Sequence, residues 1–207
     1  MKNKVIQICD YGHIQGGASQ VAINTSIILN KSEYFSPLFF CSKGPVDKIL
    51  IESGIEYICT NQNDVNNSKP YEVINNYFWN KFNYRYIYSI ANKYDKKSTI
   101  FHIHSTIKSL TSSVTYFLLK NNYKVVMTMH DYFYDCPNGG LFNYPENKIC
   151  KLKPLSFKCL ITNCDSRNYT IKVIRFMRSK HEKYLINSFE NKITFIHISK
   201  KSEQLFK

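Results

Sequence analysis

Arginine is scarce in this chain of 207 residues, with 4 against 24 lysines inside a formal net charge of +13. Paired N–H donors make arginine the residue favoured at phosphates and guanine edges, so this excess of charge is no signature of nucleic-acid recognition. The lysines come with 24 isoleucines and 21 asparagines, a joint enrichment that points to AT-rich coding, and no nucleic-acid partner is expected. Long apolar runs are missing too. Residues 5–9 are interrupted by Gln7 and are too short for a secretory core. Nothing approaches the roughly 18 to 20 apolar residues that cross a bilayer. The expectation is a cytoplasmic protein whose contact with the inner face of the plasma membrane is at most peripheral.

What is present suffices for a core: 43% hydrophobic and 15% aromatic residues exclude a disordered or collagen-like chain. Residues 4–9 read as an apolar strand, 11–17 as a loop ending in a glycine pair, and 18–30 as a helix in which Val21, Ile23, Ile27 and Ile28 fall near helical spacing. Further strands are expected at 34–41, 55–59, 99–104, 124–130 and 192–198. Helices are expected at 46–53, 77–94, 110–120 and 170–189 and from 199 onward, with a polar loop at 60–69. Short apolar strands alternating with helices predict an α/β fold, a Rossmann-like, doubly wound parallel sheet in one domain over 1–207. Residues 131–168 break the alternation. They hold four of the seven cysteines and three of the six prolines, and a loop of that length is usually functional or cross-linked.

Ligands of open α/β sheets bind beyond the carboxyl ends of the strands, and three such ends carry chemistry. After the first come Gly12, Gly16 and Gly17 ahead of a helix, where bare backbone and the helix dipole suit an anion, although a plain tight turn is the simpler reading of the pair. The spacing is neither G-x-G-x-x-G nor a P-loop. At the second end, strand alternation puts His102 and His104 on one side, which suits a metal pair or, more simply, packing under a helix and capping of the strand. The third end is His130-Asp131-Tyr132, where a neutral imidazole could accept a proton or bond a sugar hydroxyl.

The stretch GGASQVAINTSIIL at 16–29, HIHS at 102–105, TMHDYFYDCPNGG at 128–140 and FIHISKKSEQLF at 195–206 resembles, in order, the N-terminal half of a family 4 (group 1) retaining glycosyltransferase of GT-B architecture. The resemblance implies that Gly16 and Gly17 approach the phosphates or sugar of a nucleotide-sugar donor and that His130 is catalytic beside the transferred sugar. His104 and Asp131 then lie on the side of a glycan or lipid-linked acceptor, in surface-polysaccharide assembly. Transfer of this kind requires no cofactor. A complete member has a second, donor-binding domain with a glutamate pair in E-x7-E spacing, and 207 residues leave no room for it. Glu182 and Glu190 have that spacing but lack the glycine context. The expectation is half an enzyme, truncated or split and inactive alone; the alternative is a non-enzymatic sugar- or partner-binding module.

Cys136, Cys150, Cys159 and Cys164 are separated by thirteen, eight and four residues. Four thiolates can close a tetrahedral zinc site, but paired C-x2-C knuckles are absent, so a structural zinc, disulfides and packed free thiols all fit. Cys9, Cys41 and Cys59 fall in strands and read as small buried hydrophobes. In the helix at 170–189, Ile171, Ile174, Met177 and Leu185 suggest a core-packed apolar face. Lys172, Arg175, Arg178, Lys180 and Lys183 suggest a solvated or membrane-facing basic one.

Overall fold

The computed structural model describes residues 2–62 and 76–205; the part of the expected polar loop at 63–69 lies outside them. Eight strands are described: β1 (Asn3–Tyr11), β2 (Phe35–Lys43), β3 (Glu56–Cys59), β4 (Thr99–Ile103), β5 (Lys124–Met129), β6 (Phe142–Asn143), β7 (Lys148–Ile149) and β8 (Ile193–His197). The helices are α1 (Gly17–Asn30), α2 (Lys48–Glu52), α3 (Lys81–Ala91), α4 (Ser112–Lys120), α5 (Phe157–Ile161), α6 (Tyr169–Ile186) and α7 (Lys200–Leu205). Contacts divide the chain into two compact units, residues 1–128 with 189–196 and residues 129–188 with 197–207.

The first unit is built on a six-stranded sheet in the order β3-β2-β1-β4-β5-β8. Numbered within the sheet this is 3-2-1-4-5-6, the doubly wound Rossmann order, whose direction of growth reverses between β1 and β4. The pairings of β1 with β2 and β4, of β2 with β3, and of β4 with β5 are parallel, with Lys4 opposite Thr99 and Ile100 opposite Lys124. Parallel strands covered on both faces need near-continuous apolar runs. Leu38, Phe39, Phe40 and Cys41 in β2 are all fully buried, as are Ile6 and Ile8 in β1. One face packs Cys9, Phe39 and Cys41 against Ala22, Ile23 and Leu50 from α1 and α2. Cys59 is half-buried at the margin of this cluster, so only two of the three strand cysteines are core residues.

Helix starts follow local capping chemistry. Asp47 accepts from the Ile49 amide at the start of α2, Asn80 from Asn83 in α3, and Asn168 from Ile171 in α6. Each element expected from the sequence is found within a few residues of its place, the largest shift being α3, which starts at Lys81 because Asn80 caps it there.

The second unit departs further from expectation. Residues 131–168 contain the antiparallel hairpin β6–β7 and the helix α5. In α6 the buried stripe is Lys172, Phe176, Ser179 and Ile186, with Arg178 also buried. The expected inward face is not the buried one, since Ile174 is 40% and Met177 51% exposed. Apolar periodicity alone misplaced the face. What turns α6 is Phe176 together with polar groups that have partners: Arg175 bonds the buried Asp165 carboxylate at 2.8 Å, and Lys183 pairs with Asp135. Lys172, expected on a solvated face, is fully buried. Glu182 lies in α6 and Glu190 in a 3-10 helix at Asn187–Lys192. Among the described residues no helix is long and apolar enough to cross a membrane.

Neighbouring substitutions test this orientation. Phe176→Ala should destabilise by about 3–5 kcal/mol, as for other buried aromatics, whereas Met177→Ala should stay within about 0.5 kcal/mol. Urea denaturation of the two variants reads the difference, and equal losses would refute the assigned face.

Candidate functional site

The reversal of strand order places a crevice beyond the carboxyl ends of β1 and β4. Its scaffold is Asp10, next to last in β1 and fully buried. Oδ2 accepts from Ser105 Oγ and the Lys108 amide, both at 2.9 Å; Oδ1 accepts from the Ser109 amide at 2.9 Å, Ser109 Oγ at 3.2 Å and the Leu110 amide at 3.0 Å. A carboxylate with its lone pairs so occupied holds a loop rather than moving a proton. The same loop is held from the other side, where Asn80 Nδ2 and Asn83 Nδ2 each donate to the Ser109 carbonyl at 2.9 Å. Thr111 follows with φ 60°, a left-handed conformation that a β-branched residue adopts only under constraint. Its Oγ1 accepts from the Asn80 amide at 3.1 Å. The role of Asp10 is not legible in the sequence, where it merely follows the apolar run at 4–9.

His102 in β4 and His104, the residue directly after the strand, lie on one side, as alternation predicts, with ring centroids 4.1 Å apart. His104 is buried, with Nε2 2.6 Å from Gln7 Oε1, while His102 Nε2 lies 2.8 Å from Thr128 Oγ1. Both rings are thus tied into the sheet. With Oε1 as acceptor, His104 carries its proton on Nε2.

Glycine does two different things in the loop after β1. At Gly12 a Cβ would sit 2.9 Å from Cys41 Sγ and 3.3 Å from the Pro45 carbonyl, so only glycine fits. At Gly16 and Gly17 a Cβ would meet open space, and both residues are exposed. Ser19 Oγ, three residues into the helix, accepts from the Gln15 amide at 2.9 Å and the Gly16 amide at 3.2 Å and donates to the Gly16 carbonyl at 2.9 Å. The Gly16 amide, expected to face a phosphate, is therefore turned to Ser19. The first helical bond of α1 runs from Gln20 to Gly16, which leaves the Gly17, Ala18 and Ser19 amides without acceptors in the helix. Ser19 is buried, so the amides of Gly17 and Ala18, rather than that of Gly16, are the donors the loop can offer.

Gly16, Gly17 and His104 belong to the first unit, and His130, Asp131 and the four loop cysteines Cys136, Cys150, Cys159 and Cys164 belong to the second. His130 directly follows β5 and is half-buried. Burial pushes its pKa below the ordinary 6.5, which favours the neutral ring with a nitrogen lone pair to offer. Asp131 Oδ1 accepts from the Phe133 amide at 3.0 Å, an Asx turn that starts a tight loop in which the Tyr132 carbonyl accepts from Asp135 and Cys136. Among the described residues no three His, Cys, Asp or Glu side chains are arranged to hold a metal ion.

No protein-family model matches the chain, and no curated protein matches it. Among solved structures, a crystal structure of a glycosyltransferase from Rickettsia africae ESF-5 is similar at TM-score 0.45 and 19% identity, over 99% of this chain and 70% of that one. Likeness at this level carries no statement about activity, and the fold assignment rests on the strand order above.

Two substitutions test the scaffold. Asp10→Ala strands several buried donors, each worth about 1–3 kcal/mol, and should cost at least about 3 kcal/mol in chemical denaturation. Gly12→Ala should cost about 1–3 kcal/mol through overpacking against Cys41, while Gly16→Ala should leave stability within about 0.5 kcal/mol.

Proposed function

We propose that this chain supplies the acceptor-side, Rossmann-like domain of a retaining GT-B glycosyltransferase, moving a sugar from a nucleotide-sugar onto a glycan or lipid-linked acceptor in surface-polysaccharide assembly. The observation that carries the reading is the 3-2-1-4-5-6 sheet, at whose reversal the order of elements is strand, glycine loop and helix after β1 and a histidine-bearing strand end at β4. The Gly17 and Ala18 amides, helped by the α1 dipole, suit the donor's diphosphate. His130 is assigned to the transferred sugar, where a neutral imidazole accepts a hydroxyl hydrogen bond or a proton. Asp131 shapes the loop that follows, and His104, buried against Gln7, acts on the acceptor side by positioning. The reading places the protein in the cytoplasm, against the membrane where the acceptor is lipid-linked, and needs no cofactor for transfer.

One six-stranded sheet provides one wall of such a site. The leaving nucleotide and the sugar must also be clamped from the opposite side by a second nucleotide-binding domain, and oriented positioning is worth about 7–11 kcal/mol of barrier, five or more orders of magnitude in rate. The 207-residue chain assayed alone should therefore show no detectable transfer, and supplying a donor-binding domain should restore it. In the restored enzyme His130→Ala should lower kcat more than it raises KM. The acid limb of the pH profile should lie below 6.5, because burial holds His130 neutral at lower pH than an exposed histidine. Sugar transfer by the isolated chain at an ordinary rate, or an unaffected His130→Ala enzyme, would overturn the reading. Sugar binding that no second domain converts into turnover would favour a binding module.

A further inference from the structure

Three cysteines of the first unit stand side by side across the sheet, all as free thiols. Cys9 in β1 is opposite Cys41 in β2, and Cys41 is opposite Cys59 in β3. Opposite residues of parallel strands point to one face, and all three side chains reach the cluster that α1 and α2 cover. Neighbouring strands lie about 4.8 Å apart, inside the range of about 4.4–6.8 Å between Cα atoms that a disulfide spans. Cys41 and Cys59 therefore need no backbone rearrangement to be joined.

The three thiols differ in access. Cys9 and Cys41 are fully buried, whereas Cys59 is half-buried at the end of the edge strand. Backbone bare of side chains lies over the outer pair. A Cβ at Gly12 would sit 2.9 Å from Cys41 Sγ, and one at Gly44 would sit 3.6 Å from Cys59 Sγ and 2.7 Å from Asn61 Oδ1. Glycine at both positions lets the loops after β1 and β2 close over the sulfurs, and Cys59 keeps its opening to solvent.

The outer pair is also unequal in acidity, and its two sulfurs are hydrogen-bonded to each other. The Cys41 thiol and, against the opposing effect of burial, the Asn61 amide draw Cys59 from the ordinary 9.0 down to about 6. The same bond and burial push Cys41 up. At neutral pH the half-buried sulfur is the nucleophile, and the buried one keeps the proton. Cys9 and Cys41 are opposite each other too, but that pair offers no accessible thiol with which an oxidant could react first.

We propose that Cys59 and Cys41 are a peroxide-sensitive pair that forms a reversible disulfide, Cys59 as the sulfur oxidised first and Cys41 as the sulfur that resolves it. The Cys59 thiolate attacks hydrogen peroxide: an S–O bond forms, the O–O bond breaks, and the departing hydroxide takes a proton to become water. Cys41 sulfur then attacks the sulfenic sulfur of Cys59. An S–S bond forms, the S–O bond breaks, and the Cys41 proton leaves with the hydroxyl as a second water. The two sulfurs together give up two electrons, which the peroxide takes. The bond staples the edge strand β3 to β2, and a thiol reductant reverses it, as is usual for disulfides of reducing compartments. No step of sugar transfer is involved.

The test treats the full chain, reduced and freed of reductant, with hydrogen peroxide at neutral pH, then alkylates it and maps its peptides by mass spectrometry. Two of the seven thiols should be lost first, in a bridge that joins Cys41 to Cys59, and dithiothreitol should restore both. The oxidised chain should unfold at a higher urea concentration than the reduced one, because the bond constrains the unfolded chain. Cys59→Ser should lose both the bridge and the shift. In Cys41→Ala the oxidised Cys59 has no partner, and a dimedone probe should trap it as the sulfenic acid. Cys9→Ala should form the bridge as the wild type does. Peroxide that first joins cysteines of the segment 136–164, that links two copies of the chain, or that drives Cys59 to the sulfinic acid while Cys41 stays free would overturn the proposal. So would seven thiols that all survive the treatment.

Discussion

The first unit depends on one buried carboxylate. Asp10 ends a strand that is otherwise apolar, and burying its charge would be prohibitive without compensation. Five hydrogen bonds from residues 105–110 supply that compensation. The effect is to join the carboxyl end of β1 to the loop after β4, the two strands between which the sheet reverses. Through Ser109 the same node reaches Ser42 in β2 and Asn80 and Asn83 at α3. The left-handed Thr111 is tolerated because its neighbours are fixed on both sides, by Asp10 before it and by Asn80 beside it. The crevice is thus preorganised by polar bonds laid over an apolar sheet.

This division explains what could be read from the sequence. Strands such as 124–129 and the buried β2 announce themselves by local composition, and alternation in HIHS places both imidazoles on one side. Glycine could be read as a loop but not sorted, because Gly12 is demanded by Cys41 across the sheet whereas Gly16 is not. Asp10 was invisible as a scaffold because its partners lie 95 to 100 positions away, where no periodicity reaches. Ser19 could have been found: a hydroxyl three residues after a glycine at the start of a helix is a capping signal.

The helix α6 shows the opposite failure, in which a local pattern was visible and misleading. Isoleucine and methionine at helical spacing suggested an inward face, yet the buried stripe begins with a lysine. Hydrophobicity ranks side chains by the water they leave, and it cannot register that the Cys159 carbonyl and sulfur and the Phe176 ring receive an ammonium at the other end.

The two units therefore keep their order by different means. In the first, apolar burial on both faces of a parallel sheet provides stability, and polar bonds are spent on shape at the strand ends. In the second, few apolar side chains are buried, and ion pairs and side-chain-capped turns join its short elements. His130 stands where the chain passes from one regime to the other. Before it runs a strand anchored in the sheet by pairing with β4, and after it comes the Asx turn of Asp131. Backbone fixed on both sides restricts where the imidazole can go, while its half-buried setting keeps the ring neutral. The sugar-facing role proposed for His130 needs both properties, and neither arises from histidine itself: the strand gives the position, the turn holds it, and burial lowers the pKa.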